Sequence, residues 1–189
     1  CIGGCAGKTV IRNVEMWPST IRPTPFSTEG AGIRLTDNED VELYDCFVWN
    51  ARRAIVADGK NGTLHLRNCS VDFCSDGLVL EGECDVYAEG GTFWTHYTAV
   101  RMAHDRVRLQ LRGMDLKSNG APTIDIRRAE RLFCEGLIVR RVMDEREQPV
   151  VDVSGGADIC FSGCSLSARC RQEPAVRFGK PPALIVRSC

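Results

Sequence analysis

The chain has 189 residues, 43% hydrophobic and 26% charged, with a formal net charge of −1. Such a composition fits one globular domain with a sizeable core; it offers no bulk charge for nucleic acid or an anionic membrane surface, and no apolar run nears the ~20 residues of a membrane span. Cys1 to Lys8 is mostly small residues and is no signal peptide, and the eleven cysteines match neither a small disulfide scaffold nor the spacing of a metal site.

In chain order, the opening segment supplies Ile2, Thr9, Ile11, Asn13, Val14 and Met16, followed by a stretch, 18–31, that reads as a protruding loop. From Gly32 a small–apolar–x–apolar segment recurs. It appears as Gly32-Ile33-Arg34-Leu35, Ala54-Ile55-Val56-Ala57, Gly77-Leu78-Val79-Leu80 and Ala99-Val100-Arg101-Met102. It continues as Thr123-Ile124-Asp125-Ile126, Val150-Val151-Asp152-Val153 and Ala175-Val176-Arg177-Phe178, the starts lying 22, 23, 22, 24, 27 and 25 residues apart. Alternation with period two predicts strands.

A second alternating pair follows each of these: Val41/Leu43, Leu64/Leu66, Val86/Ala88, Leu109/Leu111, Leu132/Cys134, Ile159/Phe161 and Leu184/Val186. Two residues on stands a turn position held by Asp45, Asn68, Gly90, Gly113, Gly136, Gly163 and Ser188. Asp, Asn and Gly tolerate a left-handed backbone, so one tight bend recurs in every coil. A third short strand comes next, with inward pairs such as Cys46/Val48, Cys69/Val71, Met114/Leu116 and Cys164/Leu166. Three short strands per coil predict an all-β fold, a right-handed parallel β-helix (solenoid) with almost no helix. One domain over 1–189 would hold about eight coils, starting near 1, 32, 54, 77, 99, 123, 150 and 175.

The repeat assigns most cysteines to the core. Cys46, Cys69, Cys164 and Cys189 share the inward column after the bend, and Cys134 fills an inward slot of the second strand. A reduced set implies a protein that is intracellular or assembled inside a cell, a virion included. Neither end carries a polar or helical cap, so the expectation is a fragment, or ends that dock on another chain.

Function on such a fold sits on outward faces and loops. Asp125 and Asp152 fall on consecutive coils of the first-strand face, close enough to act as an acid/base pair on a sugar chain if the protein is an enzyme. Arg101 and Arg177 bracket them, so the same residues also read as an ion-pair ladder. Trp17, Trp49 and Trp94 all fall just after the third strand and face outward, fit for a sugar or a protein interface. The second-strand outward column turns apolar toward Phe133, Cys160 and Ile185, which reads as a subunit contact. No phosphate-binding loop or nucleophile triad appears, and neither cofactor nor metal is implied.

The whole chain resembles the pectate-lyase-like superfamily of β-helices, although the Asn-Thr-Asp, Asp-Asp, Gly-His-Gly and Arg-Ile-Lys set of its polygalacturonase members is missing. Cys69-x4-Cys74-x2-Gly77, Glu81-Gly82 and Val86, with Cys46 one coil earlier, are similar to the cysteine-rich β-helix of the adenoviral large early-region 1B protein and the atadenovirus hexon-interlacing protein. That likeness implies a non-enzymatic viral protein, trimeric in the capsid or bound to host partners. Two functions are therefore expected. The first is a structural or protein-interaction β-helix, self-associating (a trimer) or engaging protein partners, with neither nucleic acid nor membrane. The alternative is a polysaccharide-binding or polysaccharide-cleaving module of tailspike or lyase type.

Overall fold

The computed structural model describes residues 1–17, 30–120, 122–142, 148–155, 157–168, 175–179 and 183–187, with only the backbone at 168 and 183–187. Three parallel sheets make a β-solenoid, with no helix among the described residues. The first sheet joins Ile2–Gly3, Ala31–Thr36, Arg53–Asp58, Asp76–Leu80, Val100–Ala103, Ile124–Arg128, Val151–Val153 and Val176–Phe178 in that order. The second joins Lys8–Arg12, Asp40–Tyr44, Lys60–Arg67, Glu83–Glu89, Val107–Arg112, Arg131–Glu135, Asp158–Ser162 and Ala183–Arg187. The third joins Glu15–Met16, Phe47–Trp49, Ser70–Cys74, Thr92–Thr95, Asp115–Ser118, Ile138–Arg141 and Ser165–Ala168. About six turns are complete. They lie between a first coil with two outer strands of two residues each and a last coil with strands described in two sheets only. Of the expected loop over 18–31, residues 18–29 lie outside the described set, and Ala31 already pairs with Arg53.

The registers follow from the inward side chains. Ile33, Ile55, Leu78, Val100, Ile124, Val151 and Val176 stack one on the next, as do Val41, Leu64, Val86, Leu109, Leu132 and Ile159. A one-residue slip would turn each such set to solvent, so burial pins the stacking. At the bend after the second strand, Asn13, Asp45, Asn68, Gly90, Gly113, Gly136 and Gly163 all have φ between 50° and 66°. The Asn68 side chain ties two coils by donating to Asp45 Oδ1 at 2.7 Å. Gly77, the second residue of its first-sheet strand, has no room for a side chain, since a Cβ would lie 2.4 Å from Ala99 O.

Cys46, Cys69, Cys134 and Cys164 are buried at the expected inward slots, and Cys74 and Cys84 are buried too. Burial pushes the Cys69 and Cys74 thiols up to about 11 and that of Cys84 up to about 12. Cys189 lies outside the described residues. At the corner between the first and second sheets, Asn38 Nδ2 donates to Asn61 Oδ1 and to Ile2 O, both at 3.2 Å, and Asn61 Nδ2 donates to Asp58 O at 2.7 Å. This internal ladder uses the Asn61 amide in full, so the sequon Asn61-Gly62-Thr63 offers no accessible acceptor in the folded chain.

Candidate binding surfaces

The outward side chains form three surfaces with different chemistry. On the first sheet, Arg34, Val56, Val79, Arg101, Asp125, Asp152 and Arg177 stack in one column. Arg101 lies between two carboxylates: Nη1 and Nη2 donate to Asp76 at 3.0 and 3.2 Å, and Nε donates to Asp125 Oδ2 at 3.3 Å. Arg127 Nε donates to the same Asp125 oxygen at 3.0 Å. Asp152, opposite Asp125 on the next coil, accepts from Arg177 Nε at 3.1 Å and also from Nη2. Nearer the start, Arg34 Nε donates to Asp58 at 2.8 Å, and Thr36 Oγ1 donates to the other oxygen of that carboxylate.

Both members of the sequence-derived carboxylate pair are therefore held by arginines. A catalytic carboxyl must be free to meet a substrate atom, and both of these are engaged by guanidinium groups. Burial pushes Asp76 above its ordinary value against the pull of Arg101. Burial pushes Asp58 the same way, but there the Arg34 and Thr36 hydrogen bonds prevail and hold it below.

The corner after the third strand carries aromatic rings. In Phe47–Trp49, Val48 points inward and is buried, so strand alternation sends Phe47 and Trp49 outward. Trp17, one residue past inward Met16, contacts both: ring centroids lie 5.2 Å from Trp49 and 5.6 Å from Phe47. Phe73 extends the row. The register passes from Asp72 opposite Trp94 to Cys74 opposite Thr95, leaving Phe73 unpaired in a bulge with φ of 57°. Its ring stacks on Trp49 (5.9 Å, 18°) and meets the edge of His96 (4.8 Å, 77°).

Four consecutive coils thus contribute to one row, with Trp17 at its end 58% exposed. Trp94 stands in the Trp49 column two coils on, beyond Asp72. Its indole N–H donates to Asn119 Oδ1 at 3.3 Å, and Lys117 Nζ lies 5.8 Å from its ring centre. A groove of about 400 Å³ opens beside the row, lined by Glu15, Trp17, Gly32, Trp49 and Asn50 among others.

On the second sheet the outward column runs Val10, Glu42, His65, Tyr87, Gln110, Phe133, Cys160 and Ile185. Tyr87 is exposed and stacks on His65 (5.2 Å, 18°), whereas Phe133 and Cys160 are half-buried. A notch of about 350 Å³ over Gln110 is lined by Tyr87, Phe133, Arg108, Arg112 and Arg131. Of Ile185 the backbone alone is described.

The structure thus brings Trp17 and Trp49 together, sets Trp94 apart, and pairs Arg101 and Arg177 with the two aspartates. Phe47, Phe73 and His96 are members of the aromatic row that the repeat did not indicate. Phe73 had one legible signal, a bulky residue directly before Cys74 where the strand alternation breaks. No group of His, Cys, Asp and Glu that could hold a metal ion occurs among the described residues. Comparison with family models, curated proteins and solved structures finds no match.

Proposed function

We propose that the chain is a non-enzymatic β-solenoid that binds a protein partner through the aromatic row at its third corner. One contrast carries this reading: the first-face carboxylates are tied up by arginines, while a row of rings runs along the third corner and ends in an exposed Trp17. Trp49 and Phe73 cover each other's faces. That stacking removes the open aromatic faces a sugar ring would need at these two positions, while the exposed Trp17 suits the packed centre of a protein interface. The likeness of the cysteine-loaded coils to the adenoviral proteins supports the same reading, a capsid-associated or host-binding viral protein assembled inside a cell. Tyr87 and Phe133 on the second sheet are proposed as the self-association face, with a trimer as the assembly.

The test compares wild-type chain with Trp17→Ala and Phe73→Asn. Partner capture should fall with both variants while far-UV circular dichroism is unchanged, and sedimentation should give the assembly state. A chain that stays monomeric, cleaves a uronic-acid polymer and loses that activity in Asp125→Asn or Asp152→Asn would overturn the proposal.

A further inference from the structure

The aromatic column of the second sheet lacks one rung. Its outward residues run His65, Tyr87, Gln110 and Phe133 on four consecutive coils. Tyr87 lies nearly parallel to His65 (5.2 Å, 18°), so one face of its ring is covered from the preceding coil and the other turns toward Gln110. Tyr87 is 45% exposed. Phe133 stands two coils beyond it, a separation of about 9.6 Å at the strand spacing of about 4.8 Å. A flat ring placed midway would lie about 4.8 Å from each neighbour, inside the ~4.5–7 Å range of stacked rings. With its amide oriented by its neighbours, Gln110 accepts from Arg112 Nη2 and Nε at 2.8 Å, which ties it along its own strand. The notch of about 350 Å³ over Gln110 is the space of the missing rung.

The rim of that notch is cationic. Arg108, Arg112 and Arg131 line it, with Asp85 as the carboxylate among the lining residues. Arg108 is taken up by Asp85, at 2.6 Å to each oxygen, and Arg112 by Glu135 at 3.0 Å. Arg131 is exposed and has no hydrogen-bond or ion-pair partner among the described residues, although Asp158 lies opposite it on the next coil. Arg108 and Arg131 also lie opposite each other, a pairing of like charges that an anion between them relieves. Both stand two residues along the strand from the outward column, about 6.6 Å from the missing rung. A ligand that answers both features carries a flat ring and an anion set apart from it by about that distance.

We propose that the notch binds a free nucleoside monophosphate, its base stacked between Tyr87 and Phe133 and its phosphate between Arg108 and Arg131. Stacking on aromatic side chains accepts any base, and guanidinium forks match phosphate oxygens. A net charge of −1 gives the chain no long-range pull on a polynucleotide, which selects the mononucleotide. The site goes beyond the protein-binding role of the third corner. It occupies the face proposed for self-association, so the ligand and a second copy of the chain compete for Tyr87 and Phe133.

Isothermal titration calorimetry of the wild-type chain with adenosine monophosphate tests this, with adenosine, inorganic phosphate and a single-stranded dodecanucleotide as controls. Adenosine and phosphate should each bind at least about tenfold more weakly than the monophosphate, and the dodecanucleotide should bind no more tightly. Gln110→Phe supplies the missing ring from the chain itself, so it should fold normally and lose binding altogether. Arg131→Ala, at an exposed position, should bind about tenfold more weakly. Absence of binding by the monophosphate, or binding that Gln110→Phe leaves intact, overturns the proposal. So does phosphate binding as tightly as the monophosphate, which would reduce the site to an anion patch, or a dodecanucleotide that binds far more tightly, which would make it a nucleic-acid surface. Sedimentation of the same samples keeps the two readings of this face apart. An assembly that Tyr87→Ala disperses, in a chain that ignores the monophosphate, would leave self-association standing and sink the notch; monophosphate binding by a chain that stays monomeric would do the reverse.

Discussion

The first face and the third corner are built on the same coils, and they treat exposed side chains in opposite ways. On the first face, Arg101 takes up Asp76 and Asp125, and Arg177 takes up Asp152, so these charges are answered by a neighbour one coil along the stack, at the strand spacing of about 4.8 Å. At the third corner, the rings of Trp17, Trp49 and Phe73 also answer one another, but their contact leaves the free end of the row open at Trp17. A stack of parallel coils brings like positions together. Opposite charges placed in that way close on themselves, whereas aromatic rings remain adhesive at their edges.

The strongest way to break the charged face is at its centre. Arg101→Ala leaves Asp76 and Asp125, both 9% exposed, without their shared guanidinium, although Asp125 keeps Arg127. An uncompensated buried carboxylate is strongly destabilising, so a loss of about 3 kcal/mol in urea unfolding is expected. Asp152→Asn, whose partner Arg177 is exposed, should cost under about 1 kcal/mol in the same measurement. Equal costs at the two sites would mean that the face is a uniform surface ladder without a buried centre.

Titration separates two carboxylates of that face. The Asp58 carboxyl is held below its ordinary value, so its stabilising contribution is complete above the unfolded-state value of about 3.9 and is lost as pH falls through the folded value. The Asp76 carboxyl lies above its ordinary value, so the folded state takes up that proton first and gains stability as pH falls toward about 4. The stability deficit of Asp58→Asn relative to wild type should therefore hold steady above about pH 5 and vanish in strong acid. For Asp76→Asn the difference should move in the wild type's favour as pH drops from neutral toward about 4. Denaturant midpoints measured across that range check both signs.

The repeat made much of this arrangement legible in advance. Inward pairs such as Leu78/Leu80 and Leu109/Leu111, and the left-handed bend at Asp45, Asn68 and Gly90, recur at a nearly fixed interval. Each coil therefore votes for the same register. The alignment of Asp125 with Asp152 followed from that register, but their hydrogen-bond partners depended on where long arginine side chains reach, which periodicity does not specify. Features confined to one or two coils were hidden for the same reason. Asn38 and Asn61 form a ladder of only two members, Asn50 sits at a corner with no repeated identity, and Phe73 occupies a bulge that shifts the count by one. A period exposes what every coil shares, and binding surfaces are made from departures.

Phe73→Asn tests whether the aromatic row is a surface or a clasp, with the smallest expected effect on stability. The native ring sits on a backbone with φ of 57°, where a bulky residue is strained by about 1 kcal/mol or more and asparagine is tolerated. Removing the ring forfeits its contacts with Trp49 and His96, each worth about 0.5–1.5 kcal/mol beyond burial. The two changes oppose each other, so the unfolding free energy should shift by less than about 1 kcal/mol while near-ultraviolet circular dichroism reports the severed row. A loss above about 2 kcal/mol would instead show that Phe73 fastens the third corner to the stack, as Arg101 does the first face, and the contrast between a closed surface and an adhesive one would narrow to Trp17.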